Sequence, residues 1–412
     1  MDKQKLQPLK GFRDLGPDEM AVRTEAVKRL RTVFERYGFV ELQTPTLEKA
    51  EVLLGKYGQE AEKLMYLFED RGGRKVGLKY DLTVPLARYM AANKNTPLPF
   101  KRYQIQPVWR AENTQKGRYR EFYQCDVDTI GSSSPMADAE ILAVIKDALL
   151  ELGFETFTTI INSRTVLFKT LESVDIKGNN RLSVIQTIDK LDKKSKEEVS
   201  KELAEKGLSK NKVKSIFDAF QNSLPDEYLS EVIKRAEDLG VDNLSFTPTL
   251  ARGLDYYTGP IFETVVEKPK IGSLTGGGRY DNLIKSLGGP DLAAVGTSIG
   301  FERAVDVIAE LGLWSTTSSG PQVFLTVFSG KYRGQATEAA YTMRKTGINT
   351  ELSVVDQPLD KQLKYAGRRG IPFALIIGPN EAKGKSVTLK DLKLGTQETF
   401  SLERAIQTLQ NK

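Results

Sequence analysis

The stretch Phe100 to Gly131, FKRYQIQPVWRAENTQKGRYREFYQCDVDTIG, limits the possible folds more than any other part of the chain. Two runs of alternating residues flank a short polar loop containing Gly117, the pattern of a long β-hairpin. For a strand from Tyr119 to Thr129, the two-residue period puts Arg120, Phe122, Gln124, Asp126 and Asp128 on one face. On the first run Arg102, Gln104, Gln106, Val108 and Arg110 share a face in the same way. A face carrying a cation, an aromatic ring, an amide and two carboxylates cannot meet an apolar core without a large desolvation cost, so it must line solvent or a ligand cavity. Arginines there suit phosphate, Phe122 suits a base and Asp128 an ammonium group. The alternative is a solvated antiparallel face laced with cross-strand ion pairs.

Composition removes other chemistries. None of the 412 residues is histidine, which excludes a Ser-His-Asp triad, an HExxH zinc site and any imidazole base. The single cysteine, Cys125, excludes an internal disulfide and a multi-cysteine metal site, and no protein metal site is expected. Catalysis must rest on carboxylates, arginines, lysines, backbone amides or bound Mg²⁺. No apolar run approaches the roughly 20 residues of a membrane span, and the start MDKQKLQPLK has no secretory stretch, so a cytoplasmic protein without a membrane partner is expected.

The length predicts two or three domains. Helices are expected from Gly16-Pro17 to Gly38, over about 136–152 and from Phe301 to Leu311; Phe39–Leu42 and Phe154–Ile161 read as strands. From 171 to 240 the composition turns to Lys, Glu, Ser and Leu with helical spacing, as in an inserted helical domain. It interrupts a main domain made of 1–170 and 241–314. Residues 315–320 form a polar linker, and 321–412 alternate strands (Gln322–Phe328, Asn349–Val355, Phe373–Ile377) with helices, a small α/β domain. That last segment holds 14 basic and 8 acidic residues, the whole of the net charge of +6. It suits an anionic partner such as nucleic acid, or else carries a surplus spread over a solvated surface.

Two further clusters stand out. Leu250–Gly259 places Arg252, Asp255, Tyr256 and Tyr257 beside glycines, either as a site or as a structural turn with an Arg–Asp pair. GGGRYD at 276–281, followed by GTSIGFER at 296–303, lets backbone approach a ligand and puts Arg303 in the first turn of a helix. By contrast, GPNEAKGKS at 378–386 has five residues between its glycines where a P-loop needs four, and Lys383 and Lys385 are expected on a loop.

Taken in order, these segments resemble the histidyl-tRNA synthetase family of class II aminoacyl-tRNA synthetases. KGFRD at 10–14 is similar to the family's opening signature, Pro45 to the motif 1 proline at a dimer interface, and KYDLTVP at 79–85 to the segment that meets the amino acid. Trp109–Glu112 with Arg118–Phe122 resembles motif 2, Gly300–Arg303 motif 3, and RGLDYY at 252–257 a signature of the histidyl enzymes. The resemblance implies an α+β fold: an antiparallel sheet flanked by helices, a helical insertion that clamps the acceptor stem, and a C-terminal α/β anticodon-binding domain. It implies a homodimer that uses ATP and Mg²⁺ to activate L-histidine and charge tRNA(His). Arg110 and Arg252 would then contact the α-phosphate, with Arg252 the catalytic arginine of the histidyl enzymes. Glu112, Arg118, Arg120, Phe122 and Arg303 would bind ATP; Asp81, Thr83, Gln124 and Asp128 would hold the ammonium group. Tyr256, Tyr257 and Tyr280 would line the imidazole pocket beside Arg252, and Gln115 and Lys116 would touch tRNA.

Departures from the family pattern include aspartate at 81 and 128, where many bacterial members carry glutamate, and Thr114 in place of a common proline. The nearest rival is a non-catalytic paralogue, the regulatory subunit of ATP phosphoribosyltransferase, a family that normally lacks the terminal domain. A histidine-charging enzyme that contains no histidine could be translated while histidine is scarce, although reconstruction or engineering of the sequence would leave the same mark. Pulse-labelling during histidine starvation tests this: synthesis should persist, and a fall as fast as that of histidine-containing proteins would sink the idea.

Overall fold

The computed structural model describes residues 6–54, 62–114, 117–178, 180–252, 256–266, 269, 272–314 and 320–411. The chain divides into two compact units, Met1–Ser315 and Thr316–Lys412.

The larger unit is built on an eight-stranded sheet. Its strands are β1 (Val40–Glu41), β5 (Phe100–Trp109), β6 (Glu121–Ile130), β7 (Thr158–Ser163), β8 (Leu244–Phe246), β9 (Pro260–Val265), β10 (Ser273–Arg279) and β11 (Ala294–Ile299). The order is β1-β5-β6-β11-β10-β9-β7-β8, antiparallel except for the parallel edge pairs β1–β5 and β7–β8. A separate small sheet joins β2 (Leu47–Lys49), β4 (Lys75–Leu78) and β3 (Leu67–Glu69). The hairpin read from the sequence is β5–β6, paired from Phe100↔Ile130 to Trp109↔Glu121. Its second strand starts at Glu121, so Arg120 falls just before the strand.

Helices Pro17–Arg36, Pro135–Glu151 and Phe301–Leu311 cover one side of the sheet through Leu30, Phe34, Ile141, Ile145, Phe301 and Val307, packed with Tyr103, Val127 and Val295. Pro17 occupies the first turn of its helix, where a missing N–H costs nothing, and Gly38 takes φ +77° just beyond its end. The helical stretch 171–240 divides in two. Helices between Asn180 and Gln221 build their own core from Ile185, Ile188, Leu203, Ile216 and Phe220, whereas Glu227–Asp238 packs Leu229 and Val232 into the core of the main sheet.

The smaller unit has a five-stranded sheet of order β13-β12-β14-β15-β16: β12 (Val323–Leu325), β13 (Thr350–Leu352), β14 (Phe373–Ile376), β15 (Val387–Asp391) and β16 (Gln397–Phe400). The first three are parallel, and the last two add an antiparallel extension. Lys383, expected on a loop, lies in the short helix Pro379–Gly384, which Pro379 opens.

Glu302 ties the larger unit together. Its carboxylate takes two hydrogen bonds from Arg23 (2.7 and 2.8 Å), one from Arg13 (2.6 Å) and one from the Tyr123 backbone N–H (3.0 Å). Burial alone would raise its pKa, but Arg23, the Tyr123 N–H and Arg13 outweigh burial and hold it below the usual range. Glu302→Ala leaves Arg23 buried and unpaired, and is expected to cost about 3–5 kcal/mol. Urea unfolding of the variant checks this; a loss under about 1 kcal/mol would show that the pair contributes little.

Candidate active site

Two adjoining cavities that share lining residues lie against β6, β10 and β11. The outer one, of about 450 Å³, is lined by Arg110, Glu112, Arg118, Phe122, Gln124, Arg252, Tyr256, Tyr257 and Arg303, with the backbone of Gly276, Gly277 and Gly300. The inner one, of about 90 Å³, is lined by Asp81, Thr83, Arg110, Gln124, Asp126, Asp128, Tyr256, Tyr257, Tyr280 and Thr297.

The glycines are required by close approach. A Cβ on Gly277 would lie 2.3 Å from the Gly296 carbonyl oxygen, and one on Gly296 would lie 2.0 Å from Asp128 Oδ1. The β10–β11 surface can therefore accept the carboxylate of Asp128 against bare backbone.

Four guanidinium groups converge on the outer cavity. Arg110 lies over the Phe122 ring (5.1 Å) and the Tyr80 ring (4.4 Å), and donates to the Tyr80 carbonyl (3.0 Å). Arg303 donates to the Ser273 carbonyl (2.7 Å), Arg252 pairs with Glu263 (2.6 Å) and Arg118 with Glu112. Arg303 is pushed below its ordinary pKa by burial and then by the like charges of Arg252 and Arg118. Cations crowded this way favour a polyanion between them.

The inner cavity is the reverse, a pocket of carboxylates. Asp81 accepts from the Val84 N–H (3.1 Å) at the start of helix Thr83–Ala92. Tyr280 donates its hydroxyl to Asp128 Oδ1, and Oδ2 lies 2.9 Å from the buried Arg102, an ion pair without a well-directed hydrogen bond. Tyr256 and Tyr257 sit with ring centroids 4.6 Å apart, and Tyr256 meets Tyr280 edge-on at 6.0 Å. Burial raises all three tyrosines, Tyr257 to about 12, so each remains a neutral hydrogen-bonding group.

Thus Asp81, Thr83, Arg110, Gln124, Asp128, Tyr256, Tyr257 and Tyr280 meet around the inner cavity, and Glu112, Arg118, Phe122, Arg252 and Arg303 around the outer one. Arg120 lines neither: it donates to the carbonyls of Glu112 (3.2 Å) and Lys10 (3.4 Å), bracing the chain outside the cavities. Gln115, Lys116 and Asp255 lie outside the described residues.

The polar face of β5 differs from expectation. Arg102, Gln104 and Gln106 are buried, covered by Thr44 and Lys79: Lys79 Nζ donates to Gln106 (3.0 Å) and the Thr44 carbonyl (3.2 Å), and Gln104 donates to the Thr44 hydroxyl (2.8 Å). Lys79 falls to about 8 through burial, against the pull of Glu48 and Asp126.

Asp126 was not among the expected site residues, although the two-residue period places it between Gln124 and Asp128. Burial, then Asp128 and Asp81, raise it to about 7 against the opposing charge of Arg102 and a Ser298 hydrogen bond.

Residues 11–304 match the family described as Histidyl-tRNA synthetase, and 322–412 match Anticodon binding domain. The histidine–tRNA ligase of Aeropyrum pernix is 41% identical over 98% of each chain, and that of Korarchaeum cryptofilum 39% identical over 97% of each. The crystal structure of histidyl-tRNA synthetase from Nostoc sp. PCC 7120 superposes with a TM-score of 0.84 at 29% identity, covering 98% of this chain and 99% of that one. Fold and relatives together define an aminoacyl-tRNA synthetase. The chain belongs to the histidyl-tRNA synthetase family.

The raised Asp126 has a stability signature. Its folded pKa lies above the unfolded value near 3.9, so the folded state holds the extra proton between about pH 4 and 7 and loses stability as pH rises through that window. Asp126→Asn removes the slope, so the melting temperature of the variant relative to wild type should climb from pH 4 to 7 and then level off. Melts at a series of pH values check this; a flat difference would mean the carboxyl does not titrate there.

Proposed function

We propose that the chain activates L-histidine with ATP and transfers it to the 3′ end of tRNA(His). The observation that carries this reading is the shared wall of the two cavities: Arg110, Gln124, Tyr256 and Tyr257 line both, with carboxylates on one side and guanidinium groups on the other. A zwitterionic amino acid fits that gradient, its ammonium toward Asp81, Thr83 and Gln124 and its carboxylate toward Arg110.

ATP would lie in the outer cavity with adenine against Phe122, the α-phosphate between Arg110 and Arg252, and the outer phosphates toward Arg118 and Arg303. In the first step a carboxylate oxygen of histidine attacks the α-phosphorus, the bond to the β-phosphate oxygen breaks, and pyrophosphate leaves. In the second, a terminal ribose hydroxyl of tRNA attacks the acyl carbon, loses its proton, and AMP departs. Negative charge grows on the phosphorus oxygens and then on the acyl oxygen, and fixed guanidinium groups that meet it there lower the barrier. Arg252 faces this position from its pair with Glu263, which fixes its direction without shielding it, since the side chain is 44% exposed.

Mg²⁺ would enter with the nucleotide. Among the described residues no group of three carboxylates or thiols is placed to hold a metal ion, which suits an ion held mainly by phosphates with one or two carboxylates, such as Glu112 in the lining of the outer cavity or Glu263 beside Arg252. Bound there it would offset phosphate charge.

Further parts of the reading are a homodimer, a tRNA anticodon held by 321–412, and action in the cytoplasm. Pro45 and the exposed Leu47, Leu67 and Phe68 of the small sheet support the dimer, and no helix among the described residues is long and apolar enough to cross a membrane. The regulatory-subunit alternative is less favoured, because Arg110, Arg252 and Arg303 all line the cavity and the terminal segment matches an anticodon-binding domain.

ATP–pyrophosphate exchange with each of the twenty amino acids tests the proposal. Exchange is expected with histidine alone, and Arg252→Ala should lower kcat about 10²–10³-fold while the fold survives. Exchange with another amino acid, or with none, would reject the reading.

A further inference from the structure

The segment that leads into Arg252 belongs, by its packing, to the inserted helices. Leu250 and Ala251 are buried in the cluster that Ile185, Ile188, Leu203, Ile216 and Phe220 form, and not in the core of the main sheet. Polar contacts hold the same stretch from two directions. From the main sheet, the side-chain amide of Asn162 on β7 donates to the carbonyls of Pro248 (2.7 Å) and Leu250 (2.9 Å). From the inserted helices, Asp189 Oδ1 accepts the backbone N–H of Ala251 at 3.1 Å, across 62 positions of sequence. Asp189 opens the 3₁₀ turn Asp189–Asp192 directly after Ile188, so one stretch of the insertion supplies both an apolar and a polar contact. A buried N–H must find an acceptor, and sheet pairing offers Ala251 none, because β8 stops at Phe246 and β9 starts at Pro260.

Beyond Ala251 the chain enters the outer cavity. Arg252 lies over bare backbone of β10, where a Cβ on Gly276 would come 3.0 Å from its Nη1. Its Nε pairs with Glu263, the residue opposite Gly276 on β9. Glu263 therefore fixes the guanidinium end of the side chain, and the hold on Ala251 fixes the end at the backbone.

We propose that Asp189 is a positioning residue for the reaction: by holding the Ala251 N–H it fixes the backbone from which Arg252 reaches the α-phosphate, so the inserted helices set the geometry of the catalytic arginine. The inference rests on the role given to Arg252 above. An arginine that stabilises charge developing in the transition state works best when it is held in place beforehand, and a misplacement of about 1 Å can forfeit much of its effect. A single ion pair to Glu263 cannot prevent this, since the guanidinium can pivot about that carboxylate when the backbone shifts.

The test is ATP–pyrophosphate exchange by the full-length chain with histidine, arranged as a double-mutant cycle between Asp189 and Arg252. Asp189→Ala should lower kcat about tenfold and leave KM for histidine and for ATP within about twofold, the pattern of an interaction lost mainly in the transition state. Asp189→Asn, which keeps an oxygen to accept the N–H, should stay within about threefold of wild type. In the Arg252→Ala background Asp189→Ala should change kcat less than about twofold, because the group through which Asp189 acts is gone; a merely structural role would give the same loss in both backgrounds. Asp189→Glu keeps the charge but moves the oxygen by one methylene, and should also lose at least about threefold in kcat. It carries the same cycle should thermal melts show that Asp189→Ala does not fold. Wild-type kcat in Asp189→Ala and Asp189→Glu, or equal losses with and without Arg252, would overturn the role of Asp189. Raised KM values with kcat unchanged would overturn it too. Exchange that does not depend on histidine, or that survives undiminished in Arg252→Ala, would instead overturn the reading beneath it.

Discussion

Ionised side chains buried inside the central sheet set the terms for the rest of the larger unit. Arg102 is fully buried on β5, with Asp128 opposite it on β6, and Asp126 and Lys79 nearby. Removing such groups from water costs several kcal/mol per ion, recovered only if partners hold them in good geometry. The surroundings meet that demand. Gly296 leaves room for Asp128, Tyr280 donates to it, and Thr44 with Gln106 receives Lys79. The outer helices are pinned by Glu302 between Arg23 and Arg13, and Asp138 holds Arg279 at the other end of β10. A scaffold that fixes so many charges cannot relax when substrate charge arrives, which is the condition for electrostatic catalysis.

The two cavities sort charge between them. Carboxylates line the smaller cavity and arginines the larger, with Arg110 in both linings. A molecule bearing both signs is thereby oriented before any specific contact forms, because reversing it would set ammonium against guanidinium and carboxylate against carboxylate. Arg252 and Arg118 repel Arg303, and a polyanion placed among the three would offset that repulsion.

Much of this was legible in the sequence because it is local. The period of two fixed which residues of the hairpin share a face, and helix Phe301–Leu311 begins and ends where the sequence placed it, with Gly312 capping it in the left-handed region. What escaped depends on distant partners. Nothing in the alternation of β5 reveals that Thr44 and Lys79 cover Gln104 and Gln106, so a face expected to meet solvent or ligand is partly sealed. Arg120 shares the period of β6 but precedes the strand, and the Lys10 and Glu112 carbonyls draw it aside. Strands β15 and β16 went unread because Thr388, Lys390, Gln397 and Glu398 make them polar; pairing with β14 and with each other completes them. Asp126 lay in view on the right face, but spacing alone cannot show how deeply each carboxylate of that face is buried.

The absence of histidine gives these buried groups unusual weight. In an ordinary chain imidazoles dominate titration between pH 5 and 8. Here that interval belongs to groups displaced into it by burial: Asp126 from below, at about 7, and Lys79 from above, at about 8. Asp126 lines the inner cavity, and its charge opposes the fall of Lys79, which is fully buried beside Gln106 and Thr44. Among the described residues, the proton chemistry of these two groups is therefore gathered at the inner cavity and the buried layer beside it.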